Sequence, residues 1–111
     1  MPITHVRIDD RLIHGQVTVV WAKFLNAQKI VVVSDLAAKN KLQQELLKAS
    51  APPGVAVEVL SVDEAAKKIL SNSYEKERVM LIVDTVKSLD RLFKNGVYLP
   101  EVNLGNQGGG K

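Results

Sequence analysis

The 111 residues contain no cysteine, which excludes disulfides, thiolate metal sites and cysteine nucleophiles together. No window approaches the continuous apolar length of a membrane span, and the first residues lack the basic, apolar and small-residue order of a secretory signal. A cytoplasmic protein is therefore the default expectation. Aromatics are scarce: one tryptophan, two tyrosines and two phenylalanines, not interleaved with arginine. The net charge of +3 comes from dispersed basic residues, so nothing argues for nucleic acid. A weakly basic surface suits an acidic or phosphorylated protein partner equally well. What remains is 46% apolar and 24% charged, the balance of a folded globular chain. The length gives one domain, 1–111, with a single core.

Strand and helix patterns alternate along that domain. Ile3 to Ile8 reads as a short strand with Val6 and Ile8 on one side of the pleat. Val17, Val20, Trp21, Phe24 and Leu25 follow at helical spacing, the stripe of a helix packed on a core. Trp21 has the chemistry of a sugar-stacking platform, but its place on the stripe favours burial. Lys29 to Ser34 is a continuous β-branched run, as in a parallel strand covered on both faces. Ser34 or Asp35 can cap a helix running to about Ala49, with Leu42, Leu46 and Leu47 inward, ended by Pro52-Pro53-Gly54. Val55 to Leu60 is a third strand, with Glu58 its charged interruption. Ser61 and Glu64 form a capping box, and Val62, Ala65, Ala66, Ile69 and Leu70 share the face of the helix behind it. Arg78 to Val83 is a fourth strand, Val86, Leu89, Leu92 and Phe93 a fourth helix closed by Gly96, and Val102 to Leu104 opens a fifth strand. The pattern predicts a three-layer α/β domain, a mostly parallel sheet with helices on both faces. In such a sheet ligands sit where strand C-termini lead into helices; the first junction follows Ile8, and Asp35, Asp84 and Thr85 lie at later ones. Asp35 and Asp84 could orient groups there, although capping is the favoured reading for both.

The first junction carries the chemistry. Arg7-Ile8-Asp9-Asp10-Arg11-Leu12-Ile13-His14-Gly15-Gln16-Val17 puts two arginines, two aspartates and a histidine just ahead of a helix. A helix start offers unpaired NH groups and a positive dipole end, which suit phosphate. Arg11, with Arg7 a second candidate, adds side-chain cations, and Gly15 and Gln16 would supply backbone NH groups. Histidine can carry a phosphoryl group covalently when its neutral imidazole attacks, and nearby arginines and a helix dipole disfavour the imidazolium. This makes His14 the candidate nucleophile, with Arg11 on the transferring oxygens. A carboxylate repels a phosphoryl group, so Asp9 or Asp10 instead fixes an arginine or accepts from the imidazole and selects its tautomer. His5, inside the first strand, is read as a strand histidine rather than a second relay group.

That loop, with Val20-Trp21 behind it, resembles the active-site loop of the IIB components of the mannose/fructose/sorbose family of bacterial phosphoenolpyruvate-dependent sugar phosphotransferase systems. The likeness continues through Ile30 to Asp35, Ala51 to Val55, Glu77 to Leu81 and Val102 to Gly105. The resemblance implies that His14 takes a phosphoryl group from a phosphohistidine on a IIA protein or domain, on the ring nitrogen nearer the backbone, and passes it to a sugar of the mannose, fructose, sorbose or N-acetyl-hexosamine class. The sugar arrives through membrane IIC and IID components, with which the chain would associate peripherally. It implies catalytic His14, Arg11 and Asp10, phosphate contacts at Gly15, Gln16 and Arg7, and neither metal nor cofactor; a homodimer stays open. Family members continue well past Lys111, so the domain looks C-terminally incomplete, with its fifth strand an open edge.

Two other classes compete. Gly105-Asn106-Gln107-Gly108-Gly109-Gly110-Lys111 matches the opening of a nucleotide-binding P-loop but lacks the Ser or Thr for magnesium and the helix that should follow; a glycine-rich surface loop is the preferred reading. A binding module that only docks phosphate on the His14 loop has no feature of its own to recommend it.

Overall fold

The computed structural model describes residues 3–10, 12, 15–74, 76–99 and 103–104, and of 4, 15–19, 103 and 104 the backbone. The elements run β1 (Ile3–Ile8), α1 (Gly15–Leu25), β2 (Lys29–Val33), α2 (Asp35–Ala38), α3 (Lys41–Ala49), β3 (Ala56–Leu60), α4 (Val62–Leu70), β4 (Val79–Val83), α5 (Val86–Lys94) and β5 (Asn103–Leu104). The strands form one sheet in the order β3-β2-β4-β1-β5, and every pairing is parallel.

The β-branched runs explain the centre. Each residue of β4 is buried, as are Ile30 to Val33 of β2, because parallel strands are covered on both faces. Val31, Val33, Leu81 and Val83 join residues of α4 and α5 in one cluster. Ile30, Val32, Met80 and Ile82 join residues of α1, α2 and α3 in the other. The expected three layers are thus present, with α1 to α3 on one face and α4 and α5 on the other. Each fully buried Val, Ile or Leu contributes about 1.5–3 kcal/mol.

Helix ends follow local chemistry. The capping box forms as its residues predict: Glu64 N–H donates to Ser61 Oγ (3.2 Å) and Ser61 N–H to Glu64 Oε1 (3.0 Å). At the end of α5, Gly96 with φ 95° lets Gly96 N–H reach Phe93 O and Val97 N–H reach Leu92 O, a Schellman closure. Asn26 and Asn72, at φ 55° and 60°, close α1 and α4 in the same way.

Two expectations are corrected. The helix expected from residue 35 to 49 is two, because Asn40 caps α3 by accepting from Gln43 N–H (3.0 Å) while Gln44 Nε2 donates to the carbonyls of Ala37 and Ala38 and ends α2. Of the three leucines expected inward on α3, Leu47 is buried while Leu42 and Leu46 are exposed. On α1, Val20 and Phe24 are 60% and 78% exposed, while among its described side chains Ala22 is buried and Trp21 half-buried; the side chain of Val17 lies outside the described residues. Trp21 lies flat on His5 of β1, which confirms its burial reading in part; His5 is a strand residue, as expected, and its ring is buried.

Candidate functional site

The order of the strands places a crevice at one point of the sheet. β1 leads into α1 on one face and β4 leads into α5 on the other, yet β1 and β4 are neighbours. Their C-terminal ends therefore flank the position where connections diverge, the usual ligand position of an open parallel sheet. The loop after β1 starts there. Asp9 N–H donates to Val83 O at 2.9 Å and prolongs the β1–β4 ladder by one bond.

Val6 and Ile8 point into the α4–α5 cluster, so the alternation of the strand turns His5 and Arg7 toward the α1 face. Arg7 is half-buried, and its Nε donates to Oδ2 of buried Asp9 at 3.4 Å. Of the two aspartates, Asp9 is thus the one seen to fix an arginine; Asp10 is exposed and has interactions of its own. Leu12 N–H donates to Asp9 O at 3.0 Å and closes a turn over Asp9–Leu12. Leu12 is buried in the cluster beneath α1 with φ 59°. Its left-handed backbone was not foreseeable, since leucine carries no turn signal.

α1 opens at Gly15, so the backbone NH groups of Gly15 and Gln16 lie in its first turn, where a helix has no partners of its own for them. The structure thereby brings Arg7, Asp9, Asp10 and the start of α1 to one corner of the sheet. Arg11 and His14, the catalytic candidates, lie outside the described residues, as do residues 105–111 with the P-loop-like glycines. Among the described residues no group of three or more His, Cys, Asp and Glu could hold a metal ion.

The later junctions are structural. Ser34 and Thr85 cap α2 and α5 by accepting from Ala37 N–H (3.1 Å) and Ser88 N–H (3.0 Å). Asp35 does cap a helix, but a distant one: its Oδ1 accepts from Val62 N–H at 2.9 Å, the first residue of α4, while its Oδ2 accepts from Arg91. Arg91 also approaches Asp63, at 3.8 Å. The bond from Arg91, then that from Val62, holds the Asp35 carboxyl below its ordinary range against an opposing effect of burial. Asp84 N–H donates to Val33 O, and Thr85 Oγ1 donates to Asp84 Oδ1 at 3.5 Å. Among the described residues neither aspartate is seen to orient a group of the first loop.

An arginine beside a helix start at the switch point of a parallel α/β sheet is an arrangement that can hold an anion such as phosphate. The description "PTS system sorbose subfamily IIB component" matches residues 3–109, and the chain belongs to that family. The sorbose-specific EIIB component of Lacticaseibacillus casei is 40% identical over 105 residues, covering 95% of this chain and 64% of that protein. The mannose-specific EIIAB component of Escherichia coli K12 is 42% identical over 105 residues, covering 95% of this chain and 32% of that longer protein. The crystal structure of the IIBSor domain of the sorbose permease from Klebsiella pneumoniae superposes with a TM-score of 0.89 at 37% identity, covering 96% of this chain and 66% of that one. The chain thus spans less than two thirds of the length of these relatives.

Proposed function

We propose that residues 1–111 act as one IIB-type phosphocarrier domain of a sugar phosphotransferase system, with His14 as the transient phosphohistidine. The neutral imidazole attacks the phosphorus of a phosphohistidine on a IIA component. The new N–P bond forms as the N–P bond to the donor breaks, and the donor imidazole keeps the electron pair. In the second step a sugar hydroxyl oxygen attacks the same phosphorus, the bond to His14 breaks and the hydroxyl proton passes to solvent or a carboxylate. Arg11 and Arg7 neutralise the phosphoryl oxygens, the NH groups of Gly15 and Gln16 bind them, and Asp10 orients the imidazole or an arginine. The phosphoryl group moves from a soluble IIA partner to a sugar delivered by IIC and IID membrane components, at the cytoplasmic face. No helix among the described residues is long and apolar enough to cross a membrane, which fits peripheral association. The mannose-specific relative, named EIIAB, is consistent with a IIA partner.

The observation that carries this reading is the position of the loop: it leaves the crevice between β1 and β4 and ends at the first turn of α1. The test is incubation with phosphoenolpyruvate, the upstream phosphocarriers and a IIA component. A label that is labile in acid, stable in base and absent from His14→Ala is expected. Label persisting in that variant, at His5 or elsewhere, would refute the assignment.

A further inference from the structure

We propose that the edge of the sheet opposite the functional loop is a membrane-contact face, fitted to the headgroup region of a bilayer that contains anionic phospholipid. The proposal does not depend on the phosphohistidine reading, since it concerns the other end of the molecule. Every strand pairing is parallel, so the connecting helices run back against the strands, and α1, α3, α4 and α5 end at the N-terminal edge of the sheet. That edge collects exposed apolar side chains. Of nine large hydrophobic residues exposed among those described, five lie there: Phe24, Leu46, Leu70 and Phe93 in the last turns of the four helices, and Tyr98 in the chain that leads to β5. Phe24 and Tyr98 are 78% and 76% exposed. Single exposed hydrophobics are ordinary, but five brought to one edge by four helices and a connection are not scattered.

Cations stand between them. Lys23, Lys48, Lys67 and Lys76 are exposed and have no ion-pair partner among the described residues; Arg78, exposed beside the start of β4, donates to Asn26 O at 3.0 Å. The nearby carboxylates of Glu58, Glu77 and Asp90 are paired with Lys68, Lys29 and Lys94. Glu45, a turn back on α3, is exposed, and Glu75 lies outside the described residues. A lysine in a last turn complements the helix dipole, which accounts for the cations but not for the bare leucine and aromatic side chains beside them. The two sets together suit a lipid interface, apolar groups entering the headgroup layer while ammonium groups stay level with the lipid phosphates. The opposite edge has the reverse character. Asp10, Asp35, Asp63, Glu64 and Asp84 stand around the helix starts there, Arg7 and Arg91 are tied to Asp9 and Asp35, and Lys87 is an exposed cation among them. An anionic surface therefore attracts the basic edge in preference to the acidic one. Bound in this way, the domain turns the crevice between β1 and β4 away from the bilayer, toward a donor arriving from solution. The lipid contact has to break before that crevice can meet a membrane permease.

The experiment is co-sedimentation of the purified protein with vesicles of phosphatidylcholine alone and of phosphatidylcholine mixed with phosphatidylglycerol, at low and at raised salt. Binding to the mixed vesicles is expected to be at least about tenfold tighter than to the neutral ones and to weaken with salt. Reversing two lysines of the edge, Lys23→Glu with Lys67→Glu, should lower that affinity at least about tenfold. Lys39→Glu with Lys41→Glu makes the same change in net charge away from the edge and should stay within about threefold of the unaltered protein. Tyr98→Ser should lower the affinity at least about threefold by removing an apolar contact. Far-UV circular dichroism checks that each variant is folded. Should the reversed pair not fold, Lys23→Gln with Lys67→Gln replaces it, with a loss of at least about threefold expected. Equal binding to both kinds of vesicle, or equal losses in the edge and off-edge variants, overturns the proposal, and so does unchanged binding in Tyr98→Ser. Binding that arises only after permease proteins are incorporated into the vesicles assigns the edge to a protein partner and overturns it as well.

Discussion

The His5 imidazole lies flat on the Trp21 indole, ring centroids 4.6 Å apart and planes inclined by 18°, so that a polar residue of β1 is covered by the one tryptophan of α1. Phe24 meets the same indole edge-on at 6.0 Å. The stack fastens the helix that begins at the functional loop to the strand that leads into it. Trp21→Ala should therefore cost about 1–3 kcal/mol of stability, the loss for a half-buried aromatic, and Trp21→Leu less. Chemical denaturation followed by far-UV circular dichroism measures both; equal stability of Trp21→Ala and the unaltered protein would show that the stack does not fasten the helix.

A second prediction concerns Asp35, which joins α2 to α4 and α5 through Val62 N–H and Arg91. Asp35→Ala removes the acceptor at the start of α4 and should cost about 1 kcal/mol, the usual value of a lost cap. Asp35→Asn keeps an acceptor without the charge and should cost less. The folded carboxyl titrates below its ordinary value because of Arg91 and Val62. A depressed carboxyl contributes stability above its unfolded pKa and loses it as pH falls through the folded one. The advantage of the unaltered protein over Asp35→Asn should accordingly be full near neutrality and vanish below the ordinary Asp range. Melts of the two proteins at a series of pH values decide it, and a gap that persists in strong acid would contradict the linkage.

On β3, burial raises the Glu58 carboxyl, but the bonds from Lys68 and from Tyr74 Oη at 2.6 Å more than offset it and leave it below its usual range. Burial and then the Glu58 carboxylate push the Tyr74 hydroxyl far above its ordinary value. Tyr74→Phe should thus cost about 1 kcal/mol, one hydrogen bond to a charged and partly buried acceptor. Lys68→Met in the Tyr74→Phe background should cost more than in the unaltered protein, because Glu58 then loses both partners. A double-mutant cycle with no coupling would refute the shared network.

The terminal glycines give a fourth prediction. As a surface loop, Gly105 to Lys111 should bind ATP or GTP with magnesium no more tightly than inorganic phosphate, and Lys111→Ala should leave phosphoryl acceptance unchanged. Calorimetric titration showing micromolar nucleotide affinity that is lost in Lys111→Ala would restore a nucleotide-binding reading.

These residues also show what a sequence can and cannot disclose. β2 and β4 are legible because a strand covered on both faces needs an unbroken apolar run, and the α4 start because its capping box is a local exchange of bonds. Asn40 was hidden inside an apolar repeat, since a cap and a mid-helix asparagine look alike until the neighbouring Gln44 is seen closing α2. The cap that Asp35 supplies lies 27 residues away, a distance over which spacing rules say nothing. At the loop, the motif identified the family. That Arg7 pairs with Asp9 could not be read from the sequence, where the two aspartates stand side by side. The left-handed backbone of buried Leu12 could not be found, because leucine carries no turn signal.

The last prediction separates the two arginines flanking that motif. Arg7 donates to Asp9, whose side chain is 2% exposed, so Arg7→Ala withdraws a donor from a buried carboxylate and should cost about 1–3 kcal/mol of stability. Arg11 is assigned to the phosphoryl oxygens, and its substitution should alter rate rather than folding. A guanidinium holds two oxygens at once, whereas an ammonium acts as a point charge, so the two are not equivalent toward a planar, loosely bonded phosphoryl group in transfer. Arg11→Lys keeps the charge and loses the fork: transfer should slow substantially. Arg11→Ala should slow it further, by a few kcal/mol of barrier at most, as for one preorganised contact. Rapid-quench measurement of phosphoryl uptake, paired with thermal melts, reads both arginines. Normal transfer by Arg11→Lys would reduce Arg11 to electrostatic background. If instead Arg11→Lys or Arg11→Ala melts the protein while Arg7→Ala stays stable and loses transfer, Arg11 is structural and Arg7 alone is the cation that meets the phosphoryl group.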